Sequence, residues 1–186
     1  MDFTPKDPMS MIGTFSLILI FTMLKELYED RQRMKSDIEL NNSFTQRLDP
    51  VSGRCTRIQW QEIKEGDIIK VQKNEEVPAD LLICNAPKDI VFVSTMNLDG
   101  ETNLKEKVWE LREIDSLHKL CKFQGKVEID PPNSNLEKWK GNIFSSSLER
   151  VTNLEIRHLL LRGCTLRNTE YVFGVAMYLG VETKIL

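Results

Sequence analysis

Leu98-Asp99-Gly100-Glu101-Thr102-Asn103-Leu104-Lys105 sets two carboxylates, a hydroxyl and a glycine directly behind the apolar run Ile90-Val91-Phe92-Val93. A glycine there permits a tight turn and close approach of the backbone to another group. Glu101 can orient or deprotonate a water, and Asp99, Thr102 and Asn103 are suited to fixing a loop through side-chain to backbone hydrogen bonds. Such a loop is equipped to meet a phosphate. An Asp-Gly pair behind a strand is also a hairpin signal, so these eight residues alone leave both readings open.

On either side the sequence breaks into short β-rich runs: Arg57-Ile58-Gln59-Trp60, Asp67-Ile68-Ile69-Lys70-Val71, Leu81-Leu82-Ile83-Cys84 and Ile90-Val91-Phe92-Val93-Ser94. Asp49-Pro50, Ser52-Gly53, Gly66-Asp67 and Ala86-Pro87 punctuate them, which predicts a compact antiparallel β-domain. From Leu104 to Cys121, Val108, Leu111, Ile114, Leu117 and Leu120 recur at helical spacing and predict one or two short helices. Lys122 to Gly141, with Pro131-Pro132, reads as a looser surface insertion. A last alternating stretch puts Tyr171, Phe173, Val175, Met177 and Leu179 on one face of a strand and Gly174, Ala176 and Tyr178 on the other.

Upstream, Pro8 to Leu24 carries no charge and is apolar on all sides, at the short end of the roughly 17–25 residues that span a bilayer. A signal peptide fits poorly, because Lys6 is set against Asp2 and Asp7 and charged residues stand where a small-residue cleavage site belongs. Lys25, Arg31, Arg33 and Lys35 follow the run and only Lys6 precedes it, which predicts an integral membrane protein with the bulk of the chain in the cytosol. No proline or glycine interrupts Lys25 to Asn41, so the membrane helix is expected to continue as a stalk.

The 186 residues, 41% hydrophobic, suffice for one domain with a sizeable core plus this helix. A net charge of −3 offers no basic stripe, which argues against nucleic acid as partner. Cys55, Cys84, Cys121 and Cys164 are widely spaced, and with His118 and His158 isolated a zinc site is not expected. Reduced thiols are the default for a cytosolic domain. Asn41-Asn42-Ser43 fits a glycosylation acceptor that a cytosolic location would leave silent.

The loop's D-G-E-T-N-L-K sequence resembles the actuator-domain loop of P-type ATPases of the phospholipid-translocating subclass, the lipid flippases; cation pumps carry T-G-E-S there. Other matches follow in family order. They are Lys25-Glu26 with Glu29-Asp30, Gly66-Asp67-Ile68-Ile69, Val77-Pro78-Ala79-Asp80-Leu81-Leu82, Pro132-Asn133, Leu160-Leu161-Arg162-Gly163-Cys164 with Leu166-Arg167-Asn168-Thr169, and Glu182-Thr183-Lys184. The resemblance implies a mainly β fold with some α: a distorted, jelly-roll-like antiparallel actuator domain attached to one transmembrane and stalk helix. The implied layout is an exoplasmic flank at 1–7, membrane and stalk helix at 8–41, actuator domain at 42–180 with an insertion at about 104–141, and the start of the next stalk helix at 181–186.

The resemblance further implies that Glu101 drives hydrolysis of an aspartyl phosphate on another domain, with Asp99, Gly100 and Thr102 shaping the loop. Mg2+ and ATP would serve the parent enzyme from domains absent here, the magnesium offsetting repulsion between carboxylate and phosphoryl group. The implied partners are the phosphorylation and nucleotide-binding domains, membrane phospholipid and a small two-span accessory subunit. Arg162 and Arg167 would pair with those domains or form salt bridges within their own, and Val77-Pro78-Ala79-Asp80 reads as fold maintenance. With no D-K-T-G-T site in the sequence, the chain alone is expected to be inactive. Two departures stand out: Phe15-Ser16-Leu17 replaces an expected Pro-Leu, and Leu136-Glu137-Lys138-Trp139 alters the aromatic pattern behind Pro132-Asn133. The rivals are an actuator of a cation pump, and a membrane-anchored interaction fragment without catalysis.

Overall fold

Nothing between Met9 and Asn41 removes a backbone donor, and Gly13 alone weakens the helix, by about 1 kcal/mol. In the computed structural model one unbroken helix, α1, accordingly spans Pro8–Asn41. It is long and apolar enough over Met11–Asn41 to cross a membrane. Its polar half carries one-turn contacts, Lys25 with Glu29 at 3.4 Å and Gln32 donating to the Tyr28 hydroxyl at 2.9 Å. The structure describes residues 8–132, 135, 138–145 and 152–184. The expected flank at 1–7, Asn133, Leu136-Glu137 and residues 185–186 lie outside the described residues. The chain up to Ser43 forms one unit and Phe44–Leu186 another.

The second unit is built on antiparallel strands, as the turn-punctuated β-runs predict. They are β1 (Phe44–Asp49), β2 (Arg54–Gln59), β3 (Ile68–Gln72), β4 (Asp80–Asn85), β5 (Ile90–Ser94), β6 (Leu104–Val108), β7 (Lys126–Ile129), β8 (Lys140–Phe144), β9 (Thr152–Glu155), β10 (Leu159–Leu160), β11 (Thr165–Arg167) and β12 (Tyr171–Tyr178). Two short helices, α2 (Met96–Asp99) and α3 (Leu117–Lys122), interrupt them. The main sheet runs β10-β4-β12-β3-β1-β2, and β11-β5-β6 and β7-β8-β9 form two smaller ones.

Strand β4 is the centre of the core, because every one of its residues is buried between β10 and β12. The approach of β12 requires Gly174, where a Cβ would stand 2.8 Å from Leu81 Cβ and 3.1 Å from the Leu82 carbonyl. The alternation expected of β12 is present: Val172, Gly174, Ala176 and Tyr178 are buried, while Tyr171, Val175 and Met177 on the opposite face are half-buried. Phe173, also on that face, is buried with Tyr171 edge-on at 5.6 Å.

Two expectations need correction. Leu104–Val108 is a strand, paired with β5 from Ile90↔Val108 to Ser94↔Leu104, and not the start of a helix. Of the residues that give the helix-like spacing, Leu111, Ile114 and Leu120 are buried while Val108 is half-buried and Leu117 exposed, and only α3 is helical. The looser insertion is also more ordered than expected, since β7 lies within it and pairs with β8, which starts at its end and pairs in turn with β9. Trp139 ties this sheet to the core: it is buried and donates its indole N–H to the Tyr178 hydroxyl at 2.9 Å.

Asp80 is fully buried and accepts backbone N–H groups from Arg162 and Lys184, both at 2.9 Å. That is the fold-maintaining role its turn position suggests. Lys184 is buried, its ammonium donating to the carbonyls of Asn135 at 3.0 Å and Lys138 at 3.1 Å. Glu182 ends a single 3-10 turn, Gly180–Glu182. Within the domain the arginines make hydrogen bonds, Arg162 to the Gly180 carbonyl and Arg167 to the Asn74 side chain. The four cysteines are free thiols. His158 is a core histidine whose Nδ1 accepts the Glu155 N–H at 2.8 Å.

Candidate functional site

The loop begins on a rigid support. Val91 and Val93 of β5 are fully buried, and Thr95 behind them is almost so. One helical turn, α2, follows, and Gly100 closes it in the left-handed conformation at φ 74°, its N–H donating to the Met96 carbonyl at 3.1 Å. This glycine is required by backbone conformation, as in many helix C-caps. The chain then returns as β6, so the hairpin reading of Asp-Gly holds: the loop is the elaborated tip of the β5–β6 hairpin.

Asp99 organises that tip. Its carboxylate accepts the Thr95 hydroxyl at 3.0 Å, the Glu101 N–H at 2.9 Å and the Lys105 ammonium. The Lys105 hydrogen bond, then the Glu101 N–H, hold the Asp99 carboxyl down at about 2, and the same contact with Asp99 raises Lys105. Glu101 projects beyond, its side chain 59% exposed and paired with Lys105 at 3.2 Å. Of the residues expected to fix the loop, Asp99 does so. Thr102 and Asn103 are exposed, and Thr95 and Lys105 take the role assigned to them. The sequence signal for Thr95 is a hydroxyl four residues before Asp99, one helical turn away, whereas the role of Lys105 has no local signature.

Tertiary contacts bring two further motifs beneath the loop. Leu98 packs toward the core, and a Cβ on Gly163 would stand 3.0 Å from its Cδ2, so Gly163 leaves the space Leu98 uses. Gly163 itself is at φ 81°, its N–H donating to the Val77 carbonyl at 2.9 Å while the Val77 N–H donates to Cys164 at 2.8 Å. Segments around 77, 98 and 163, distant in sequence, thus form one platform for an exposed carboxylate.

The family described as P-type ATPase actuator domain matches residues 39–170, a span that includes the whole platform. The chain belongs to that family. The chain is 40% identical over 182 residues to phospholipid-transporting ATPase IC of Xenopus tropicalis, covering 91% of this chain and 14% of that protein. Human phospholipid-transporting ATPase ID is 38% identical over 174 residues, again 91% of this chain and 14% of the relative. Guanylate cyclase alpha of Plasmodium falciparum is 36% identical over 181 residues, 94% of this chain and 4% of that protein. The chain therefore spans a small part of each relative it matches. Among the described residues no group of three or more His, Cys, Asp or Glu side chains is placed to hold a metal ion.

Proposed function

We propose that this chain is a segment of a phospholipid-transporting P-type ATPase and that Glu101 directs the water that hydrolyses an aspartyl phosphate formed elsewhere in the parent protein. The observation that carries the reading is the setting of Glu101, an exposed carboxylate on a loop whose neighbouring residues are tied down by Asp99, Thr95 and Lys105. The relatives named as phospholipid-transporting ATPases support the cargo class. In this reading residues 8–41 are membrane and stalk helix and 42–180 the cytosolic actuator domain. ATP, Mg2+, the phosphorylated aspartate, the lipid path and any two-span accessory subunit belong to or meet other parts of the parent protein.

The chemistry needs a loop that enters a crowded phosphate site. The water oxygen bonds to phosphorus as the bond from phosphorus to the aspartate oxygen breaks. The electron pair leaves on that carboxylate, and the water's proton passes to Glu101. A base so placed contributes on the order of 10²–10⁴-fold in rate. Gly100, with nothing within 4 Å of where a Cβ would stand, serves the backbone turn and keeps the tip slim. Asp99 stays ionised and holds the Glu101 N–H, which fixes where the Glu101 side chain starts.

The test is Glu101→Gln in the full-length protein, following phosphoenzyme after a chase with unlabelled ATP. Phosphoenzyme should accumulate and lipid transport stop; decay at the wild-type rate would remove Glu101 from the mechanism. The likeness to Guanylate cyclase alpha favours a second reading, in which the segment sits inside a longer protein of that kind. A guanylate cyclase assay on the full-length protein separates the two.

A further inference from the structure

Lys105 stands between the two carboxylates of the loop, 2.5 Å from Asp99 Oδ2 and 3.2 Å from Glu101 Oε2. Among the described residues no other lysine or arginine forms an ion pair with either. Its backbone is fixed independently of the loop, because Lys105 lies opposite Val93 in the β5–β6 pairing and Val93 is fully buried. The ammonium is therefore carried by the rigid part of the hairpin and reaches back over the tip. Asp99 is doubly anchored on its other side by the Thr95 hydroxyl and the Glu101 N–H, so Glu101 is the movable member of the trio.

We infer that Lys105 is a positioning residue for Glu101: it holds the Glu101 carboxylate beside Asp99 and lowers the loop's charge when the loop meets a phosphoryl group. This inference rests on the reading of Glu101 given above. Two carboxylates two residues apart repel each other, and both repel a phosphoryl group; with the ammonium between them Asp99, Glu101 and Lys105 together carry −1 in place of −2. An ion pair this exposed adds little to folding stability, so keeping it there serves geometry and charge more than the fold. A phosphoryl oxygen can also attract the ammonium away from Glu101, which would free the carboxylate for water at the moment the loop docks.

The experiment is a charge series, Lys105→Arg, Lys105→Met and Lys105→Glu, in the full-length protein, with Glu101→Gln run alongside. Phosphoenzyme formation and decay are read separately, and the urea midpoint of each variant is measured. Decay should slow by about 10- to 10²-fold in Lys105→Met, further in Lys105→Glu, and return most of the way in Lys105→Arg, with formation and urea midpoint unchanged. If Glu101→Gln arrests decay while Lys105→Met and Lys105→Glu decay as wild type, the positioning role is overturned and the reading of Glu101 survives. If Lys105→Arg is as slow as Lys105→Met, the charge is irrelevant and the inference also fails. Wild-type decay in Glu101→Gln removes the foundation of both.

Discussion

Replacing Asp80 by alanine tests the joint that closes the actuator domain. The side chain is fully buried, and its two oxygens accept the backbone N–H groups of Arg162 and Lys184, each at 2.9 Å. Those donors have β10 and the end of the chain on either side of them, so one carboxylate joins β4 to two segments distant in sequence. Alanine leaves both donors without this acceptor. A buried, unpaired donor costs about 1–3 kcal/mol, so Asp80→Ala should destabilise by about 2–5 kcal/mol, the lower end reflecting the partly exposed Arg162. Relief from burying a carboxylate works the other way: burial is the strongest influence on the Asp80 carboxyl and raises its pKa. The discriminating comparison is thus Asp80→Asn, which removes the charge and keeps one acceptor oxygen; its cost should be only about 1–2 kcal/mol. Against a typical domain stability of about 5–15 kcal/mol, the alanine change is a large fraction and the asparagine change a small one. Urea unfolding of the detergent-solubilised chain, followed by fluorescence of the buried Trp109 and Trp139, gives both numbers. Hydrogen exchange at the Arg162 and Lys184 amides locates the effect. A loss below about 0.5 kcal/mol in Asp80→Ala, or equal losses in the two variants, would refute the argument from unpaired donors.

Gly163→Ala should lower stability by about 1–2 kcal/mol, because its backbone is left-handed, and it should also move Leu98 and the loop above it. An unchanged urea midpoint together with unshifted amide resonances over 98–105 would contradict that. The Asp99 carboxyl should titrate near 2 in the folded chain, observed by carboxyl carbon resonances, against an ordinary value of 3.8. Because the folded value is depressed, the loop's stabilisation by this group is complete above about pH 4 and is lost as pH falls toward 2. A midpoint near 3.8 would mean that the contacts with Lys105 and the Glu101 N–H are absent in solution.

The residues that announce chemistry could be read because their signals are local. Gly100 is needed at a tight turn, the carboxylates of Asp99 and Glu101 flank it, and an apolar strand precedes them; all of this lies within one short stretch. The uninterrupted run behind α1 is equally local, since helix continuation depends on neighbours within a turn. Strand β6 is illegible in the sequence for the same reason. Its apolar spacing imitates a helix, and only pairing with β5 shows that Leu104–Val108 is extended. The sheet of β7, β8 and β9 was hidden too, because its strands are short and charged and owe their order to partners found in the fold.

Sequence by itself determined the loop, the β-rich character, the long apolar helix and the family to which they belong, since each depends on residue types at short spacing. Tertiary structure alone decided which groups support Glu101. Lys105 reaches it because hairpin pairing sets the lysine's position, Leu98 finds its seat because Gly163 lacks a side chain, and Asp80 meets Lys184 across 104 residues of chain. Contacts of that separation carry no local signature, because the entropy of closing such a loop is offset only by the burial of the whole domain.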